Sequence, residues 1–224
     1  MLKPQRRLTK RKLKEDKLVT IYFKTVDFVR ENQNRLLGAV TAIFVIILII
    51  FWSSKISSSK ETRAANALAR AEIKMNEGQY NAAIDSLQLL IDSEDGAKST
   101  GIGVFYLANL YFQNENFELA QTYYEKYLDD YQDNETFSSS ALAGIGSCLE
   151  GQGEYKKAAE MYEKAVEKYS NIFDNANKLM NAARCYVLAG NKEKARAIYK
   201  RIIEEYPNSG YKNDAEISLA QIDA

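Results

Sequence analysis

Four copies of one pattern divide most of this chain into near-equal lengths. The segments Glu77–Ala83, Asn114–Ala120, Gln152–Ala158 and Ala189–Ala195 align, and their final alanines lie 37, 38 and 37 residues apart. A period in the range of about 20–50 residues marks a stack of supersecondary units, none of which buries its apolar face alone. Twelve residues before each alanine stands another small residue, Ala71, Ala108, Gly146 or Ala183. Leu87, Tyr124, Tyr162 and Tyr199 come four residues after it, and Ile91, Leu128, Val166 and Ile203 eight after it. Three copies add a late tyrosine: Tyr131, Tyr169 and Tyr206. This is the pattern of a helical hairpin. Small residues at two fixed places let helix A and helix B approach closely, and large apolar residues three or four apart fill the seams beside them. Gly78, Gly153 and Gly190 fall at the end of helix A, where a positive φ caps the helix.

The G-x-[YF]-x-x-A-x-x-x-[YL] core of these copies resembles the tetratricopeptide repeat (TPR), whose unit is about 34 residues. The resemblance covers roughly residues 64–209, with Tyr199–Ser209 an especially close match and Pro207 at the family's terminal proline. Three departures stand out: a longer period, Lys192 in place of the aromatic in copy four, and Glu115 in place of the glycine in copy two. The extra residues fit the connections after helix B, at 93–100, 133–138, 170–175 and 208–212. Longer connections of this kind are similar to those of bacterial envelope TPR proteins. The expected fold is all-α: a single N-terminal transmembrane helix, then an α-solenoid of four helical hairpins at about 64–97, 101–134, 139–172 and 176–209, with a capping helix at 213–222 that closes a domain of residues 64–224.

The resemblance implies a concave groove lined by helix A. Its outward positions in this register are Leu68, Met75, Ile102, Phe105, Asn109, Phe112, Met180 and Arg184, together with Ala143, Ser147 and Val187. Aromatic and Met side chains in a groove suit an apolar peptide or helix. The clamp that chaperone-binding relatives use for acidic tails is not expected, because its lysine slots hold Leu68, Phe105, Ala143 and Met180, and Asn109 alone fits a slot. Cys148 and Cys185 share one helix-A position in adjacent repeats. Helix axes about 8–10 Å apart oppose a disulfide, whose Cα atoms lie about 4.4–6.8 Å apart, so two buried thiols are expected.

Ahead of the repeats, residues 36–54 carry no charge. As a helix they span about 28 Å, close to a hydrocarbon core of about 30 Å. The run is longer than the apolar core of a cleaved signal peptide and leads into Phe51-Trp52-Ser53-Ser54-Lys55, which reads as a signal anchor. Residues 1–38 hold eleven basic and four acidic residues, and the remainder hold 19 and 26. Positive charge before the span predicts that the arm, residues 1–35, stays in the cytoplasm and the repeats cross the membrane. Within the arm, Leu18, Ile21, Tyr22, Thr25, Val26 and Val29 fall at helical spacing. They read as an amphipathic juxtamembrane helix over 18–30, or as a solvated arm that only sets topology. Residues 55–63 are expected as a linker.

The acidic repeat domain excludes nucleic acid as its partner. There is no histidine and only two cysteines, which removes Ser-His-Asp and Cys-His catalysis and the usual zinc sites. No enzyme activity, cofactor or metal is expected. The layout of basic arm, one span and TPRs resembles the ancillary subunit of the bacterial Sec translocon. The TPR of the periplasmic cell-division coordinator is less similar, because it lacks the anchor. These resemblances imply an inner-membrane scaffold with a periplasmic TPR domain, binding protein or peptide partners such as translocon components and secreted chains. The alternative is an envelope-organising adaptor of division or outer-membrane assembly.

Overall fold

The computed structural model describes residues 10–132 and 134–223, the side chains of 10–16 excepted. The first nine residues of the basic arm, Asp133 in the connection expected at 133–138, and Ala224 lie outside the described residues. Among the described residues ten helices follow in order: α1 (Lys10–Glu31), α2 (Gln33–Asn76), α3 (Tyr80–Ser93), α4 (Lys98–Gln113), α5 (Phe117–Asp130), α6 (Glu135–Gly151), α7 (Tyr155–Lys168), α8 (Asn175–Leu188), α9 (Lys192–Glu205) and α10 (Lys212–Asp223). The all-α expectation holds.

The chain divides into two units at Ile56/Ser57. In the first, α1 exposes Leu18, Ile21, Tyr22 and Val29, and also Val19, Phe23 and Phe28, so its apolar side is wider than the expected stripe. Among the described residues α2 is the one helix long and apolar enough to cross a membrane. The Thr41 hydroxyl in this stretch donates to the Leu37 carbonyl at 3.0 Å, so its polar group is satisfied inside the helix.

The second unit is a row of antiparallel helices. The C-terminal part of α2 pairs with α3, then α4 with α5, α6 with α7 and α8 with α9, and α10 closes the row on α9. The four repeat alanines are fully buried, as are Ala71, Ala108 and Ala183 at the facing small position. A Cβ on Gly146, the fourth residue of that set, would lie 3.2 Å from the Ala158 carbonyl and 3.2 Å from the Tyr162 ring. At that distance a side chain on residue 146 would press on both, so the third seam is the tightest fit for a small residue. Turns of three residues join helix A to helix B in every hairpin, so the extra length of the repeat lies after helix B.

Each A helix ends in a Schellman motif. The Gly78 N–H donates to the Met75 carbonyl at 3.0 Å and the Gln79 N–H to Lys74 at 2.8 Å, with the same pair of bonds at Gly153 and Gly190. Glu115 adopts the same left-handed conformation, φ 58°, where the other three repeats have glycine.

Two features correct or extend the expected organisation. Residues 55–63 are helical rather than a linker, and three of them fasten the second unit. Arg63 binds the Glu94 carboxylate, Nε to Oε1 at 2.7 Å, and Lys60 donates to the Asp95 carbonyl. Glu61 accepts from the backbone N–H groups of Lys98 and Ser99 at 2.8 and 3.2 Å. α4 has no cap of its own, since Ala97 holds that position, and the carboxylate of Glu61 supplies one from the preceding A helix. The first repeat also has a polar outer side. Later repeats place Leu107, Ile145 and Ala182, and then Tyr111, Leu149 and Tyr186, against the previous B helix. The first repeat has no predecessor and puts Arg70 and Lys74 at those two positions, the polar terminus a solenoid needs.

Candidate peptide-binding groove

The A helices form the inner row, where α4 touches α6 as well as its own partner. Helix periodicity turns every third or fourth A-helix residue toward this side, and the residues expected to line it divide into three groups.

Leu68 and Phe105 belong to the core, which corrects their assignment to the groove. Leu68 is 7% exposed and lies with Ala64, Ala71 and Leu87. Phe105 is 9% exposed and meets Tyr124, Tyr127 and Phe137 edge-on, with ring centroids 5.7, 5.8 and 5.0 Å apart. The large Phe137 ring at the start of α6 covers the position. Ala143 and Met180 at the same place in later repeats remain half-buried.

Met75, Ile102 and Phe112 are half-buried and supply apolar contact in the N-terminal part of the inner face. Phe112 leans on Phe117 with centroids 5.6 Å apart.

Polar groups lie among and beyond these residues, from Asn109 on α4 to Arg184 on α8. Asn109 accepts a hydrogen bond from the Tyr124 hydroxyl at 2.5 Å, and the Ser147 and Tyr162 hydroxyls are 2.8 Å apart. These tyrosines stand on B helices and reach the inner side through the seam. Burial pushes the Tyr162 phenol up to about 12, so it remains a neutral hydrogen-bonding group at neutral pH. Arg184 extends to Glu150 one repeat earlier, Nη2 to Oε2 at 2.9 Å, and also to Asn181 at 3.3 Å. Asn181 in turn donates to Asn177 at 3.0 Å. Burial opposes the Glu150 charge, but the Arg184 hydrogen bond and charge, helped by Cys185 and Tyr162, outweigh it and hold the carboxyl below its ordinary value. Val187, beyond this network, is 37% exposed.

Glu150, Tyr124, Tyr162, Asn177 and Asn181 did not figure among the expected groove residues. Glu150 occupies the repeat position of Met75 and Phe112, and that shared position was the available signal. Cys148 and Cys185 are free and buried, and burial raises both thiols to about 12, so neither is a thiolate at neutral pH. Among the described residues no group of His, Cys, Asp or Glu could hold a metal ion. The inner face offers half-buried apolar contact together with hydrogen bonding and the Glu150–Arg184 ion pair. That chemistry suits holding a polypeptide.

Three tetratricopeptide-repeat family models match the chain, over residues 68–135, 102–171 and 149–217. Among curated proteins there is no match. Similar solved structures include BtubC from P. vanneervenii, 21% identical with a TM-score of 0.57 over 65% of this chain. The apo form of RapI is 18% identical, TM-score 0.61 over 70% of this chain. A tetratricopeptide repeat protein from Parabacteroides merdae is 16% identical, TM-score 0.60 over 71%. The likeness spans 65%, 47% and 60% of those three chains and concerns the fold. The repeat spacing, the paired small residues in each seam and the three overlapping models agree: the chain is a tetratricopeptide-repeat protein, built for protein–protein interaction.

Proposed function

We propose that the chain is a membrane-tethered interaction scaffold of the bacterial envelope, with its basic arm in the cytoplasm and its repeats on the far side of the inner membrane. There it assists secreted or periplasmic proteins close to the Sec translocon by holding apolar segments in the inner groove. The observation that carries this reading is the half-buried apolar row Met75, Ile102 and Phe112 on the inner face, in a chain that also holds one exposed apolar helix of membrane-spanning length. A groove tethered at the site where chains emerge meets them at high effective concentration, which offsets weak affinity.

A photoreactive residue at Met75 of the full chain tests the partner in cells. Cross-links to translocon subunits and emerging secreted chains are expected. Cross-links confined to division or outer-membrane assembly proteins would move the scaffold to those machineries. Protease added to spheroplasts should remove the repeats and spare the arm, and protected repeats would overturn the location.

A further inference from the structure

The outer side of the repeats carries a second groove, and its chemistry is read from its sister junctions. Where α4 lies between α3 and α5, Tyr111 fills the junction. Its hydroxyl accepts from Gln88 at 2.8 Å, and its ring stacks on Tyr123 at 5.5 Å. Where α8 lies between α7 and α9, Tyr186 does the same. Its hydroxyl donates to Glu163 at 2.5 Å and accepts from Lys194 at 3.0 Å, with the ammonium over its ring. At the middle junction, α6 between α5 and α7, the corresponding residue is Leu149. Here a groove of about 830 Å³ opens over Leu142, Ile145 and Leu149.

The polar partners of the absent ring are still in place. Glu125 holds the repeat position of Gln88 and Glu163, and Lys157 holds that of Lys194. Both line the groove. Glu125 accepts from its own helix neighbour Gln121, at 2.8 Å, and Lys157 pairs with Glu154 at the start of its own helix. Neither bond crosses the groove. Over a floor of leucine and isoleucine, an acceptor on one wall and an ammonium on the other match the two polar partners of Tyr186.

We infer that this groove receives a tyrosine side chain from an amphipathic helix of a partner protein. The ring lies on Ile145 and Leu149, and the hydroxyl donates to Glu125 and accepts from Lys157. The site is separate from the inner face and takes its partner by a different chemistry, one aromatic hydroxyl rather than an apolar segment.

The test uses the full chain in amphipol and a fluorescein-labelled, alanine-based helical peptide with one tyrosine flanked by leucines, read by anisotropy. A second peptide has phenylalanine in its place. The tyrosine peptide should bind about tenfold tighter, as hydrogen bonds to charged groups imply. Leu149→Tyr fills the groove as the sister repeats do and should abolish binding while leaving the circular dichroism and melting curve intact. Glu125→Ala with Lys157→Ala changes surface groups only and should erase the preference for tyrosine over phenylalanine. Equal binding of both peptides by the unaltered chain, undiminished binding to folded Leu149→Tyr, or no binding at all would overturn the proposal.

Discussion

Arg184 reaches back one repeat to bind Glu150, so the third and fourth A helices are joined by a two-pronged ion pair on the inner face. The Glu150 carboxyl is held below its ordinary value, about 4.3 in an unfolded chain. Stability from this pair is therefore fully present above that pH and is lost as pH falls through the lower folded value. Thermal melting at pH 7 and pH 3 should show this acid-labile contribution shrink in Glu150→Gln. At pH 7, Arg184→Ala should cost about 0.5–1 kcal/mol, a modest figure because the Arg184 side chain is 49% exposed to screening solvent.

Glu115 holds a left-handed backbone without being glycine. That conformation costs a side-chain-bearing residue about 1–2 kcal/mol, and glycine returns part of the gain as unfolded-state entropy. Glu115→Gly should stabilise the chain by about 0.5–1 kcal/mol and raise the urea midpoint. Gly153→Ala, at the equivalent turn, should lower it by a similar amount.

Phe105 and Met75 should separate core from groove. Phe105→Ala removes a ring packed against three others and should cost about 3–5 kcal/mol. Met75→Ala, half-buried at the inner face, should cost clearly less and weaken peptide cross-linking instead. Melting curves of the two variants decide this, and a near-equal loss would place Met75 in the core as well.

The seam between A and B helices offers the simplest steric test. Ala158 is fully buried and its carbonyl lies against Gly146. Ala158→Leu overpacks the seam and should cost about 1–3 kcal/mol or more. An unchanged melting temperature would contradict the pairing of α6 with α7.

The seams were legible because they depend on short, regular spacing: an alanine repeats with the period of the hairpin, and its neighbours follow at three and four residues. Phe105 was not legible in the same way, because its burial depends on Phe137, one helix pair further on. Ala143 occupies the same register position and stays half-buried. Residues 55–63 are misleading for a related reason. Their serines suggest a linker, while the bonds that hold Lys60, Glu61 and Arg63 run to residues 31–38 positions away. Glu150 was hidden because it takes the place of an apolar residue and is paired with an arginine 34 positions later.

Glu61 also sets an order of events during synthesis. The carboxylate that caps α4 is carried on α2, so it leaves the ribosome before the helix it starts. When Lys98 and Ser99 emerge, the residue that accepts from their N–H groups has already been made. The dependence also runs the other way. A chain whose first repeat peels off loses the cap of α4 in the same step, so fraying of the first repeat weakens the start of the second by about 1 kcal/mol.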